Sequence, residues 1–457
     1  MTGRLTHGAF ARAVISRAGV NVAKLVSGKA AAGVAGLLSM LVAVRVLGPH
    51  DYGVLILVHT FALTVGGVLA IPGGHAVVRY GALAEAAEDE ERLMRLLRLT
   101  ALVELGGALL AMSIATAVAP ILGPRIGWSQ TALDFAAPYS LAVLGAAQTS
   151  ASGFLRLRGR FDLLAAQLVV TPLVRLVGAC GVALTGGTLR DFLWVWLIAS
   201  LAQWASMWAI CLYVLARSAR PTRLGGSMRG VTRDNPGVWR FLLGVKADSA
   251  LSDLAPRLTS LAIGSMLGAS AAGLYAVAQR PAKVIAQPAK LFAQTAFPEF
   301  AKIAAGGGRQ AAILSVIVRV SAMLLAFGFL MVTVFGFAAH PLARLLGGKA
   351  FEQAGDLVMI IGLARAVELV APPAGAALVA LGRPSRVVIA KLVGYAATLP
   401  LLPLFLSEFQ LSGAGAYALL QAGIISALIG AFLWSQSRDP TSSALAPEAA
   451  SAATARS

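Results

Sequence analysis

Apolar and polar positions alternate along this chain in long blocks rather than residue by residue. A helix needs about 20 mainly apolar residues to cross the hydrocarbon of a bilayer. Runs of that kind fall at 22–47, 53–78, 99–123, 131–154, 163–185, 191–215, 241–267, 272–296, 312–338, 354–380, 387–407 and 412–435. The pattern predicts twelve helical spans, and an even number brings both termini to one side of the membrane. Composition supports it: 58% of the 457 residues are hydrophobic, only 13% are charged, and the mean hydropathy is +0.78. Soluble domains carry about a quarter charged residues. The expected fold class is an all-α integral membrane protein.

Charge adds an orientation. The 38 Lys+Arg exceed the 20 Asp+Glu by a formal +18, which by itself would suggest a nucleic-acid binder. Such a protein keeps its apolar residues in one compact core, so no nucleic-acid partner is expected here. With the N-terminus inside, the cytoplasmic segments hold 22 Lys/Arg and the outside loops four: Arg125, Arg190, Arg344 and Lys349. This asymmetry is the positive-inside pattern, and it predicts cytoplasmic termini. Arg4, Arg12 and Arg17 precede the first span without a cleavable leader pattern. Residues 1–21 are therefore expected as a cytoplasmic segment, 216–240 as a basic cytoplasmic linker acting as topology determinant and hinge near anionic lipid, and 436–457 as a disordered tail. Residues 84–98 read as a short amphipathic surface helix.

The chain also repeats itself. Leu47, Gly48 and Gly53 in "RVLGPHDYGVL" pair with Leu267, Gly268 and Gly273 in "SMLGASAAGLY" at a constant offset of 220. Each half then holds six spans in one orientation, an N-lobe at 22–215 and a C-lobe at 241–435. Parallel halves around a central cavity are a known transporter plan. Within the second span, Gly66-Gly67, Pro72 and Gly73-Gly74 are placed to interrupt the helix.

The segments "VAVRVLGPHDYGVLILV" and "GGHAVVRYGA", with "LAIGSMLGASAAGLYAVAQRP" and "FPEFAKI" in the second half, resemble the polysaccharide-export (O-antigen, Wzx-type) flippases of the MATE-related multidrug/oligosaccharidyl-lipid/polysaccharide superfamily. The resemblance covers most of the chain in layout, and its motifs shape turns and helix ends. It implies a two-lobed MATE-like bundle in the bacterial inner membrane. It further implies transport of an undecaprenyl-diphosphate-linked oligosaccharide, with membrane lipids, a polysaccharide polymerase and chain-length or export proteins as partners.

Cations inside the spans give this expectation chemistry. A Lys or Arg at mid-bilayer costs about 2.5–3.5 kcal/mol on insertion scales and faces a partner or an aqueous cavity. Arg280, Lys283, Gln287, Lys290 and Gln294 are spaced 3, 4, 3, 4, one helical stripe about 21 Å long. Lys246, Ser249, Asp253 and Arg257 form a second stripe, in which Asp253 and Arg257 can pair at i,i+4. Lys29, Arg175 and Arg365 are deep candidates for the same cationic lumen, with Glu368 beside Arg365 at i+3. Distributed cations suit the passage of a diphosphate better than one rigid clamp. The carboxylates Asp248, Asp253, Glu104 and Glu368 are candidates for ion coupling, with helix–helix hydrogen bonding as the alternative for Glu104 and Asp248.

No nucleophile constellation, phosphate-cradling glycine loop or metal-ligand spacing occurs. His59 and His75 have no ligand partners at metal spacing, and Cys180 and Cys211 sit in apolar runs. No catalytic residue, metal or cofactor is expected. The alternatives are a MATE-like multidrug or small-molecule exporter, disfavoured by so many intramembrane cations, and a flippase for a lipid-linked peptidoglycan precursor. A membrane glycosyltransferase or polymerase would need larger external loops.

Overall fold

The computed structural model describes residues 7–217, 227–287, 289, 293, 310–348, 351–352, 354–381 and 383–438. They are mainly helical, with no strand among the described residues. Eight helices there are long and apolar enough to cross a membrane. Three of the long helices are kinked at a non-helical residue: α1 (His7–Leu69) at Gly48, α10 (Val238–Ile285) at Gly268, and α15 (Leu402–Arg438) at Gln410.

Gly48 has φ 69° and ψ −178°, and Gly268 has φ 86° and ψ 173°. Both occupy the region that only glycine enters freely. The 220-residue repeat is therefore a recurrence of geometry, not a coincidence of composition. Its second glycines meet inside the first unit. A Cβ on Gly53 would lie 1.8 Å from the Ala269 carbonyl oxygen, and one on Gly273 would lie 2.4 Å from that of Pro49. The backbones cross too closely there for any side chain.

The chain divides into two compact units, Met1–Gly273 and Leu274–Ser457. In the first, α1 packs on α7 (Phe161–Leu184), α3 (Glu90–Leu122) and α8 (Leu189–Ala216), while α2 (Gly74–Ala86) packs on α3 and α6 (Thr149–Leu157). Its main cluster joins Val77, Leu93, Met94, Leu97, Phe154, Leu155, Met207 and Cys211. A second cluster, with Tyr80, Leu96, Val231, Val238 and Leu242, docks residues 231–242 on α2 and α3. Arg92 Nε donates to Asn235 Oδ1 at 3.2 Å, and Arg95 pairs with Asp234 at 2.9 Å. The second half of the basic linker, including α9 (Val231–Asp234), is thus seated on this unit by apolar anchors and is not a loose strap.

In the second unit, α11 (Gln310–Gly347) packs on α12 (Ala354–Glu368), and α12, α13 (Ala371–Ala380) and α14 (Pro384–Thr398) pack on α15. Its core includes Ile317, Ala377, Leu378, Ala390, Ile429 and Leu433. Outward positions are large and apolar in both units, among them Val177, Leu184, Met323, Phe329 and Phe337. That is a surface suited to lipid tails, because burial there would otherwise stabilise the chain.

Two expectations need correction. Residues 84–98 are not one surface helix: α2 ends at Ala86, Glu88 takes φ 54°, and the Asp89 carboxylate caps α3 by accepting from Arg92 N at 2.8 Å. The acidic cap starts a 33-residue helix that runs on to Leu122. The run 131–154 is not a regular span either. It consists of α4 (Gln130–Asp134), α5 (Ala136–Tyr139), a 3-10 segment Ser140–Ala146 and α6. Residues 439–457 of the expected tail lie outside the described residues.

Candidate functional site

The first unit holds a cavity of about 620 Å³. At ~30 Å³ per water that is room for on the order of twenty waters. It opens where regular helix fails. Helix α1 stops at Leu69, residues 70–73 are non-helical, and α2 begins at Gly74. Opposite, the irregular segment presents Ala142, Val143, Gly145, Gln148 and Thr149. Non-helical backbone at membrane depth is tolerated where it lines such a space or is buried in protein. Its exposed carbonyls find donors: Gln148 Nε2 reaches Gly145 O at 2.8 Å, and Trp208 Nε1 reaches Ala147 O at 2.8 Å.

Glu104 fixes this break from behind. Its side chain is fully buried, and Oε1 accepts from Gly73 N at 2.7 Å, from Ser150 N at 2.8 Å and from the Thr149 hydroxyl. One carboxylate oxygen therefore holds the starts of α2 and α6 together. An acceptor oxygen is well placed at two helix N-termini, where backbone N–H groups lack helical partners.

Two cations of α10 close the other side. Lys246 Nζ donates to the carbonyls of Gly67 and Ala70, the latter at 2.7 Å. It caps the carbonyl end of α1, where a cation is favoured. Arg257 donates to the Leu63 carbonyl and pairs with Asp253 at 3.2 Å. Gly67 makes room for it, since a Cβ there would lie 2.4 Å from Arg257 Nη1. An ammonium has three donors and a guanidinium five, so both groups keep donors for the cavity they line.

Arg175 enters from α7. Its Nη2 lies 2.9 Å from His59 Nε2, and its guanidinium lies 5.0 Å from the Trp196 ring centroid. His59 Nδ1 lies 2.9 Å from the Tyr139 hydroxyl. Thr171 donates to Gln203 Oε1 at 2.9 Å on the same wall. Among the described lining residues, Arg156, Arg175, Lys246 and Arg257 face one carboxylate, Asp253. Cations around a space with low-dielectric walls give it a positive potential.

The structure thus brings four of the sequence candidates, Lys246, Asp253, Arg257 and Arg175, to one cavity. Lys29 is exposed on α1 and does not line it. Arg365 is bonded to Glu368 within α12. Arg280 and Lys283 are exposed on the last turns of α10, and Gln287 is exposed just past them, its amide 3.4 Å from the Lys283 carbonyl. Lys290, Gln294 and the side chain of Asp248 lie outside the described residues. Sequence reasoning passed over His59, Arg156, Thr171 and Gln203. A signal existed for the first: His59, Leu63, Gly66, Gly67 and Ala70 share a helical face of small and polar residues ending at the break. Arg156 sits in the last turn of α6, which brings it to the cavity.

Comparisons with known proteins agree with this architecture. The inner membrane protein YghQ of Escherichia coli strain K12 is 23% identical over 340 residues, covering 74% of this chain and 94% of that protein. An inward-facing multidrug resistance MATE family transporter of the MOP superfamily superposes with a TM-score of 0.70 at 14% identity, over 89% of this chain and 94% of that one. The lipid II flippase MurJ in an inward closed conformation gives a TM-score of 0.64 at 13% identity, over 89% and 86%. The family described as polysaccharide biosynthesis protein matches residues 42–356, more than half of the chain. This chain is a multi-pass membrane protein with a MATE-like all-α fold, and it belongs to the polysaccharide biosynthesis protein family.

Proposed function

We propose that this protein is a flippase that moves an undecaprenyl-diphosphate-linked oligosaccharide across the bacterial inner membrane by alternating access, supplying polysaccharide assembly. The observation that carries the reading is the cavity in which Arg156, Arg175, Lys246 and Arg257 outnumber the single carboxylate Asp253. A diphosphate needs counter-charge to leave water, and Arg and Lys supply it as fork and point. The volume of about 620 Å³ lies within the range of small-molecule sites, about 300–1,000 Å³, which suits a diphosphate and its first sugars. A transporter of this kind makes and breaks no covalent bond.

Arg156 is the residue to test, because it is exposed at the cavity and its reversal leaves the wall bonds of Lys246 and Arg257 in place. Arg156→Glu, carried by cells lacking the chromosomal copy, is expected to cut surface polysaccharide roughly tenfold or more, the effect of about 1.4 kcal/mol on the limiting step. Membrane levels of the protein should not change. Wild-type polymer from normally inserted Arg156→Glu would overturn the reading. The likeness to the lipid II flippase favours one alternative, a lipid-linked peptidoglycan precursor as cargo. Depletion of the protein separates the two: lysis indicates the precursor, and loss of surface polymer with normal growth indicates the oligosaccharide.

A further inference from the structure

His59 is bonded at both ring nitrogens, and the identity of its partners decides its protonation state. Nε2 lies 2.9 Å from Arg175 Nη2. A guanidinium has five donors, no acceptor, and stays charged. Nε2 must therefore accept, which fixes the neutral ring with its proton on Nδ1. That proton is donated to the Tyr139 hydroxyl oxygen, 2.9 Å away on a fully buried side chain. Both His59 and Arg175 line the cavity, so water reaches them.

A proton arriving at Nε2 takes the lone pair that holds Arg175. It also sets a second positive charge against the guanidinium. The hydrogen bond and the imidazolium exclude each other. We propose that His59 is a proton-binding site of the transport cycle, and that its protonation releases Arg175 from the α1 wall into the cavity. The proton comes from cavity water; an N–H bond forms at Nε2 as the Nη2–H···Nε2 hydrogen bond breaks, and deprotonation reverses both. Histidine suits this task because its charge changes between about pH 5 and 8. The Trp196 ring, 5.0 Å from the guanidinium, remains a neutral platform for Arg175 in either position.

The surroundings set how the site couples to an anion. Arg175 faces His59 from α7 and Tyr139 from α5. Lys246, Asp253 and Arg257 line the cavity from α10, His75 from α2 and Arg156 from α6, while Glu104 of α3 is committed to Gly73, Thr149 and Ser150. The imidazolium is opposed by every cation in this set and favoured by Asp253. An anion entering the cavity would favour it too, and would meet the released Arg175; this last step rests on the anion-carrying reading proposed above. Proton and anion then bind with positive linkage, each raising affinity for the other.

The test uses the purified full-length protein in nanodiscs, with Trp196 as reporter. Tryptophan fluorescence titrated over about pH 5 to 8 is expected to show a one-proton transition in the wild type. Trp196→Phe should lose it, His59→Gln should abolish it, and Tyr139→Phe should keep it with a displaced midpoint. Gln retains an acceptor for Arg175 without titrating, so His59→Gln should elute as the wild type does on size exclusion. An unchanged transition in His59→Gln, or no transition in the wild type, overturns the proposal. A second measurement is calorimetric titration with inorganic pyrophosphate in buffers of different ionisation enthalpy. Proton uptake on binding by the wild type, absent in His59→Gln, supports the linkage. Absence of pyrophosphate binding beside an intact fluorescence transition supports the proton site and sinks the anion-carrying reading instead.

Discussion

Glu104 illustrates what a single buried carboxyl group does in this fold. Backbone N–H groups that leave a helix in a membrane must find acceptors, since no lipid atom supplies one. Its Oε1 serves Gly73 N, Ser150 N and the Thr149 hydroxyl, partners that lie 31 to 46 residues away in sequence. Sequence alone offers either a coupling carboxylate or a helix–helix bond; the three donors favour the bond. Glu104→Ala strands all three and should lower stability by on the order of 3 kcal/mol or more, read as a fall in the thermal midpoint in detergent. Glu104→Gln keeps an acceptor oxygen, so export and thermal midpoint should both stay near wild type. Loss of export at normal stability in that variant would make Glu104 a coupling group. Glu85, beyond the membrane-spanning helices, offers a pH test. Burial raises its carboxyl above the ordinary 4.5, Arg158 at 3.1 Å partly offsets this, and Glu90 adds to it. A raised folded value means that its contribution is complete below 4.5 and is lost as pH rises through the folded value. Glu85→Gln should therefore flatten the pH dependence of the thermal midpoint as pH rises above 4.5, with the gain in stability at the upper end.

Helices in this chain are defined as much by their breaks as by their apolar runs. Two of the breaks are readable from sequence, because glycine alone enters their positive-φ, extended-ψ region freely: Gly48 and Gly268 announce themselves by recurring 220 residues apart. The break at Gln410, φ 52° and ψ −136°, carries no glycine and gives no such signal. Residues 131–154 are hidden for another reason. Their apolar content is that of a span, and what holds them irregular is tertiary: Trp208 bonds the Ala147 carbonyl and Glu104 bonds the start of α6. Gly48 and Gly53 separate two costs that glycine avoids. Around Gly48 the space for a Cβ is open, so Gly48→Ala should lose only the conformational term, about 1–3 kcal/mol. Gly53→Ala drives a Cβ to 1.8 Å from the Ala269 carbonyl oxygen, and backbone must move. Its thermal midpoint should fall well below that of Gly48→Ala. Equal losses would show that the crossing of the two repeats is looser than its geometry.

The formal +18 combines charges with different roles. Twelve Lys/Arg fall within the expected spans, and four of the basic groups reach one cavity with a single carboxylate. Part of that placement was visible in the helical spacing of Lys246, Asp253 and Arg257. The convergence of Arg175, His59 and Arg156 was not, since it depends on how α1, α6 and α7 pack. The larger share of the charge belongs to the loops, 22 residues on one expected face against four on the other, and it carries the orientation of the whole bundle. Basic loops resist translocation, so the segment holding Arg229 and Arg233 should stay inside, and the acidic, cation-free segment around Glu408 and Gln410 should be outside. Native thiols are few enough to test this: Cys180 is exposed and Cys211 buried, and replacing both with Ala leaves a background without thiols. In it, Gln410→Cys is expected to react with a membrane-impermeant maleimide in intact spheroplasts, whereas Ser227→Cys should react only after permeabilisation. Gln410 is an informative choice because its left-handed break puts it at the tip of a turn between two apolar stretches, away from helix packing. The reverse labelling pattern would place the termini outside. That result would overturn the positive-inside reading of the loops, on which the expected orientation of the whole bundle rests.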